Sequence, residues 1–348
     1  MEPTSRLPFV YGKPTINASI KVVPEDFIVE EILSFEPTGS GEHKFVHIEK
    51  WGENTDFIAR QIARFTGIKA RDIGFAGLKD RHGLTKQWFS VQLPGKGDPD
   101  WSSFKGEGFR VIGHTQNDRK LRRGALKGNR FTLRVRLIDP ADYDLESRLQ
   151  SVSEGGVPNY FGPQRFGRHG DNVEKALEML DTPDQRMSPH IRGILLSSVR
   201  SEIFNQILAS RVRMGNWNQG IAGDIFMFPD SKSHFSADPF STETRSRIDA
   251  HQIHPSGPLV GKTPSIAGDV AGQIESEVME TQSRLVSGLA AADLESQRRP
   301  YRLVPEDFSW TTLDDGDLQL RFNLPAGSYA TTVLRELFLM DASQTPEV

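Results

Sequence analysis

One carboxylate in this chain stands among cations. In Gly74-Phe75-Ala76-Gly77-Leu78-Lys79-Asp80-Arg81-His82-Gly83, Asp80 is crowded by Lys79, Arg81 and His82 in a glycine-bracketed loop. An acid so placed stays ionised at neutral pH. Between two β-like segments, an ionised carboxylate can serve as nucleophile or base. Asp and Gly are also ordinary turn residues, so this loop alone leaves a polar hairpin turn open. Three other segments combine aromatics with Arg, Asn or Gly: Gly128-Asn129-Arg130-Phe131, Pro158 through Asn159-Tyr160-Phe161 to Gly167, and Leu324-Pro325-Ala326-Gly327-Ser328-Tyr329. Such residues serve base stacking and close backbone approach in RNA sites, and they also occur as buried rings at turns.

Other chemistries find little support. The chain has no cysteine, which removes thiolate metal sites, disulfides and a cysteine nucleophile. Gly257-Pro258-Leu259-Val260-Gly261-Lys262-Thr263 imitates a phosphate loop but is one residue short between its glycines. His43 with His47, and His251 with His254, lack a neighbouring ligand cluster, so no metal is expected. No serine sits in a nucleophile elbow. With 36% hydrophobic and 25% charged residues in 348, the composition is that of a globular protein with room for two domains. No apolar run approaches the ~18 residues of a membrane span, and no secretory signal is evident, so a cytoplasmic location is expected. The net charge is −4, yet Arg119, Lys120, Arg122, Arg123, Lys127, Arg130, Arg134 and Arg136 form a strip without an acid. A local strip of that kind matters more for phosphate contact than the whole-chain sum; a solvated charged face is the other reading.

The elements that must carry these residues follow from periodicity. Residues 19–50 alternate as strands, Asn54-Thr55 offers a helix N-cap, and Ile58, Ile62 and Phe65 repeat at helical spacing. Arg71–Ala76 and Gln87–Leu93 flank the Asp80 loop as β segments, and Phe109–His114 and Phe131–Ile138 continue the pattern. From Asp171 the signals turn helical: Val173–Leu180, Ile191–Met214 and one long helix over Ala267–Arg298 that stops at Pro300. Residues 215–265, rich in Gly, Pro, Ser and Asp, read as loops or short strands. Strand alternation returns at Asp317–Phe322, and Thr331–Met340 reads as a closing helix. The β–helical–β order predicts an α+β catalytic domain interrupted by a helical insertion.

With these motifs together, the sequence resembles the TruD family of tRNA pseudouridine synthases. The match rests on Lys21 with Pro24-Glu25-Asp26-Phe27-Ile28-Val29-Glu30-Glu31, on Gly77-Leu78-Lys79-Asp80, on Gly128-Asn129-Arg130-Phe131, on Asn159–Gly167, and on Leu324–Ala330 with Arg335-Glu336. The resemblance implies a pseudouridine synthase fold, with a central mixed, mainly antiparallel sheet, over residues 1–154 and 304–348. It implies an inserted helix-rich TRUD domain over 155–303. It implies isomerisation of uridine 13 in the tRNA D arm, with Asp80 as nucleophile, no cofactor, and Phe27, Asn129 and Tyr329 against the target uridine; Phe131 is a further candidate for stacking. Lys21 is the expected partner of Asp80, with Lys79 second. Tyr329 departs from an expected phenylalanine, so its hydroxyl needs a partner, and Gly83 departs from an expected alanine, which should loosen the loop. A monomer with a cleft between its domains is expected. A non-catalytic RNA-binding protein is the alternative, and Asp80 argues against it, since a binder gains nothing from an anion near phosphates.

Overall fold

The computed structural model describes residues 7–93, 97–139, 143–167, 169–182 and 187–340; the outermost ends of the expected catalytic domain, 1–6 and 341–348, lie outside them. The first part of the chain forms β1 (Asn17–Ser19), β2 (Phe27–Leu33), β3 (His43–Lys50), α1 (Thr55–Thr66), β4 (Gly74–Phe75), β5 (Leu84–Gln92), β6 (Lys105–Gly106), β7 (Phe109–Asn117), β8 (Leu126–Leu137) and α2 (Tyr143–Gly155). Helix α1 forms where the sequence signals it. The Asn54 side chain accepts from Phe57 N, Gly67 ends the helix at φ 68°, and Ile58 and Ile62 are buried. Each such isoleucine contributes about 1.5–3 kcal/mol by leaving water.

The chain then builds β9 (Val157–Pro158), α3 (Asn172–Asp181), α4 (Pro189–Arg213), β10 (Ile225–Met227), β11 (His234–Ser236), α5 (Thr242–Asp249), β12 (His254–Leu259), α6 (Asp269–Thr281), α7 (Ser283–Ala291), β13 (Gln297–Pro300) and β14 (Arg302–Leu303). Strands β9 and β14 pair with each other, so the chain leaves and returns through one short ribbon. Beyond it, α4 is buried nearly all round through Leu195, Val199, Ile203, Phe204 and Leu208, as a central helix must be. It packs with α3, α6 and α7, beside a four-stranded sheet ordered β11-β10-β12-β13. The last part is β15 (Glu306–Thr312), β16 (Leu318–Pro325), α8 (Ala330–Leu337) and β17 (Leu339–Met340).

Three expectations from the sequence need correction. The long helix over 267–298 is two helices broken at Gln282, and its end is strand β13. The Thr281 hydroxyl bonds the Val278 carbonyl at the break, while the Arg298-Arg299-Pro300 stretch pairs with β12. The closing helix stops at Leu337 because Leu339 and Met340 pair in parallel with Asn17 and Ala18. Within the expected loops of 215–265 lies helix α5, capped by Ser241; only Thr244 and Ile248 of it are buried, too few to give a periodic signal.

The main sheet is ordered β15-β16-β8-β2-β5-β3-β7-β6, with β1, β4 and β17 attached at its sides. Along this order every neighbouring pair is antiparallel except the central β2–β5 pair. The registers decide what shares a face. Phe27, Val29 and Glu31 of β2 stand opposite Leu133, Phe131 and Asn129 of β8. Val29 also faces Thr85 of β5, and Thr85, Gln87 and Phe89 face Lys50, Ile48 and Val46 of β3. Helix α1 covers the Val46–Ile48–Phe89 side of this face, while α2 and α8 cover the Phe131–Leu133–Phe322 side. Between the two covers runs a strip of polar residues: Lys50, Thr85, Gln87, Glu31 and Asn129.

Candidate active site

The Asp80 loop folds over that polar strip. It leaves β4, returns into β5, and is tied to the turn after β3, where the Lys50 ammonium donates to the Asp80 carbonyl (3.0 Å) and the Glu53 carbonyl (2.8 Å). Gly52 N adds a bond to the Arg81 carbonyl. Gly83 sits where a Cβ would stand 2.6 Å from the Phe27 carbonyl oxygen. The expectation that this glycine loosens the loop is therefore corrected: the missing Cβ lets the loop pack tightly on β2.

Lys21, not Lys79, meets the carboxylate. Lys21 Nζ lies 2.5 Å from Asp80 Oδ2, and the His82 amide donates to Oδ1 at 2.9 Å. Burial alone would raise the Asp80 carboxyl, but the Lys21 charge and the His82 amide together hold it below the usual carboxylate value. Lys21 has φ 59°, an unusual left-handed setting for a lysine, and its ammonium stands 4.2 Å from the centre of the Phe27 ring. Asp80 keeps 36% of its side chain exposed, against 9% for Lys21. The anion thus faces solvent while its counter-ion forms the floor.

Lys79 points the other way, as alternation along an extended chain predicts. Its ammonium donates to Asn129 Oδ1 (2.5 Å) and lies 3.3 Å from Glu31 Oε1. Glu31 is further held by Trp88 N and Gln87 Nε2, and Gln87 joins Thr55 and the Gly77 carbonyl. Burial pushes Glu31 up and Lys79 down, each opposed by the other's charge. Because an ammonium only donates, the Asn129 oxygen must face it and the amide NH2 points elsewhere.

The other expected site residues fall into two groups. Phe27 and Phe131 are buried in the core, edge to face with each other, and Phe131 stacks on Phe322; neither ring is open to a base in this structure. Tyr329 is half-buried in the loop after β16, the strand whose Leu324 and Pro325 pair with Asn129 and Gly128, and it packs against the core around α4. Its hydroxyl has the partner it requires, Arg165 Nη2 at 2.8 Å. The basic strip is only partly free. Arg130, Arg134 and Arg136 pair with Glu30, Asp317 and Asp26. Arg122, Arg123 and Lys127 remain exposed around the turn whose Gly124 N bonds the Ala76 carbonyl at the root of the Asp80 loop.

Four residues of this site were not singled out in the sequence: Lys50, Glu31 as the partner of Lys79, Gln87 and Thr55. The available signal was phase. Lys50 shares its strand face with Val46 and Ile48, and Glu31 shares its face with Phe27 and Val29; a charge in the buried phase of a strand marks an internal network. Among the described residues no group of three or more His, Asp or Glu is placed to hold a metal ion, and no helix is long and apolar enough to cross a membrane.

Comparison with known proteins identifies the family. The sequence profile of tRNA pseudouridine synthase D (TruD) matches residues 5–180 and 168–337. The tRNA pseudouridine synthase D of Methylococcus capsulatus is 46% identical over 98% of this chain and 96% of its own. That of Ectopseudomonas mendocina is 43% identical over 97% and 96%. A crystal structure from Methanosarcina mazei, described as a candidate TruD, superposes with a TM-score of 0.71 at 22% identity, covering 95% of each chain, and shows the same fold. The sheet crossed by a polar strip, the loop that lays an ionised aspartate over it, and the full-length similarity lead to one assignment: this chain belongs to the tRNA pseudouridine synthase D (TruD) family.

Proposed function

We propose that this chain isomerises uridine 13 in the D arm of tRNA to pseudouridine, with Asp80 as nucleophile and no cofactor. The observation that carries the reading is the Lys21–Asp80 pair. It keeps an anion poised at the open margin of a strip that is otherwise closed by packing. In the reaction the C1′–N1 bond breaks, the uracil turns, C1′ joins C5, and the C5 proton is lost while N1 gains one. No electrons or groups are exchanged with a second molecule, so the chemistry asks only for an anion at the sugar and a pocket that holds the detached base. Asp80 acts either by attack on C1′ or by removing the C2′ proton.

The uridine must leave its RNA stack first. Tyr329, the half-exposed ring among the three aromatic candidates, is the surface on which it stacks. The Asn129 NH2, turned outward by Lys79, donates to a uracil carbonyl. Phe27 acts from beneath, carrying the Lys21 ammonium, and Phe131 supports Phe27. The exposed cations Arg122, Arg123 and Lys127 take tRNA phosphates. In this reading residues 1–154 with 304–348 form the catalytic domain and 155–303 the TRUD insertion; the β9–β14 ribbon at its root supports that division. The protein works as a cytoplasmic monomer on tRNA.

Asp80→Asn tests the reading, because it keeps the shape and removes the charge. Conversion of uridine 13 in a bound tRNA transcript, followed without any added cofactor, should fall to background in the variant while tRNA affinity persists. Near wild-type conversion by Asp80→Asn would overturn the assignment.

A further inference from the structure

We infer that Arg165 and Arg299, both set against the Phe161 ring on the insertion side of its junction with the Tyr329 loop, form a binding site for one phosphodiester of the RNA substrate. The site rests on the uridine 13 reading for its ligand, and on the following geometry for its existence.

Both guanidiniums lie against the ring of Phe161, Arg299 at 4.2 Å and Arg165 at 5.2 Å from its centre. Arg299 donates to the Asn159 backbone and side-chain oxygens and to the Gly327 carbonyl. Arg165 donates to Ser197 Oγ and to the Tyr329 hydroxyl. All of these acceptors are neutral, and among the described residues neither arginine has a carboxylate partner. Arg200 and Arg302 also meet only neutral acceptors among the described residues; other arginines of the molecule do not. Arg211, Arg298 and Arg335 are each joined to an acid, namely Asp224, Glu275 and Glu336. Burial, with a further push from Arg165, pulls Arg299 down to about 10, the direction expected of a cation that lacks its counter-ion.

Hydrogen-bonding capacity is also left over. Arg165 Nε is buried with no acceptor, and the nearby Thr331 hydroxyl is buried with no partner; Thr331 approaches the same Gly162 turn that leads into Arg165. Two uncompensated planar cations with spare donors match a phosphate, which accepts two parallel N–H bonds from a guanidinium. Placement selects a nucleic-acid phosphate. The Arg165 fork touches the Tyr329 hydroxyl, so a base stacked on that ring brings its own backbone within a nucleotide's length of both arginines. Arg165 and Arg299 belong to the insertion, whereas Gly327 and Tyr329 follow the main sheet. A phosphate bound here therefore joins the two parts around the reacting nucleotide.

The test uses the full-length protein and a ligated tRNA in which single phosphates around uridine 13 are replaced by neutral methylphosphonates. Wild type should lose about tenfold in affinity at one linkage flanking uridine 13. Arg165→Gln should show a similar loss with native tRNA and no further loss at that linkage, and its log Kd against log salt should flatten by about 0.7–0.9 for the one lost phosphate contact. Arg165→Lys, which keeps the charge and loses the fork, should retain the linkage sensitivity in part, and it supplies the comparison if the glutamine variant does not fold. Equal losses in wild type and variant at every linkage, or no loss at any in wild type, would overturn the site. Conversion of uridine 13 is read in the same samples. Linkage-specific binding without conversion by wild type would refute the proposed reaction and keep the phosphate site; conversion with purely additive losses would do the reverse.

Discussion

Replacing Lys79 by methionine isolates what a buried cation does beneath the Asp80 loop. The Lys79 and Glu31 side chains are 8% and 0% exposed, with Nζ and Oε1 3.3 Å apart. At an effective dielectric of about 20, that separation gives a gross attraction of about 5 kcal/mol. The cost of taking both ions from water offsets much of it. The pair's net worth is therefore small, but removing one member is not, because the other stays buried and charged. The expected loss for Lys79→Met is about 3–5 kcal/mol near neutral pH.

The pH dependence gives the sharper signature. Burial already raises Glu31 above its usual 4.5, and the Lys79 charge is the largest influence opposing that rise. Without Lys79 the folded value climbs further while the unfolded value does not change. Between the two, the folded state binds more protons than the unfolded one, so stability falls as pH rises through that window. Lys79→Met should accordingly be close to wild type below pH 4.5 and increasingly less stable above it. Adding Glu31→Gln, which keeps the acceptor for Trp88 N and removes the charge, should recover most of the loss. Urea unfolding followed by tryptophan fluorescence at several pH values measures this directly. A Lys79→Met variant as stable as wild type at pH 7.5, or a double variant no better than the single, would refute the reasoning. Turnover should fall in both variants even where stability is recovered, since Asn129 loses the donor that orients its amide.

Lys21→Met removes the charge that holds Asp80 down and leaves the burial that pushes it up; the acid limb of the single-turnover rate should move to higher pH, and an unmoved limb would show that Lys21 does not set the carboxylate. Lys50 is fully buried and burial pulls it down to about 8. Between about pH 8 and 10.5 only the unfolded state holds its proton, so wild-type stability should rise by about 3 kcal/mol across that range relative to Lys50→Met, as measured by urea unfolding at each pH. Gly83→Ala places a methyl 2.6 Å from the Phe27 carbonyl and 3.2 Å from its ring. The loop must then move, at a cost of about 1–3 kcal/mol, and thermal denaturation with a kcat at least tenfold lower and an unchanged tRNA affinity would mark the displacement.

Which parts of this protein were legible in its sequence follows from how local their causes are. Helix α1 and strands β2, β8 and β16 are dictated by residues within a few positions, and periodicity found them. The end of the closing helix was not legible, because Leu339 leaves helical geometry to pair with Asn17, more than three hundred positions away. The site divides in the same way. Asp80 could be singled out because its cations are its sequence neighbours, yet the cation that holds it is Lys21, 59 positions distant, and Lys79 beside it serves a different carboxylate. Adjacent residues on an extended chain face opposite sides, so Asp80 and the Lys79 beside it part company. One turns to solvent-facing chemistry and the other to the interior. The same alternation accounts for what was missed: Lys50, Glu31 and Gln87 occupy the inward phase of three strands, positions that periodicity alone assigns to the apolar core. Three neighbouring strands carrying polar groups in that phase at one level of the sheet cannot all be errors of packing, since each would cost several kcal/mol alone. They are tolerable only as a connected set, and Asp80 stands above that set.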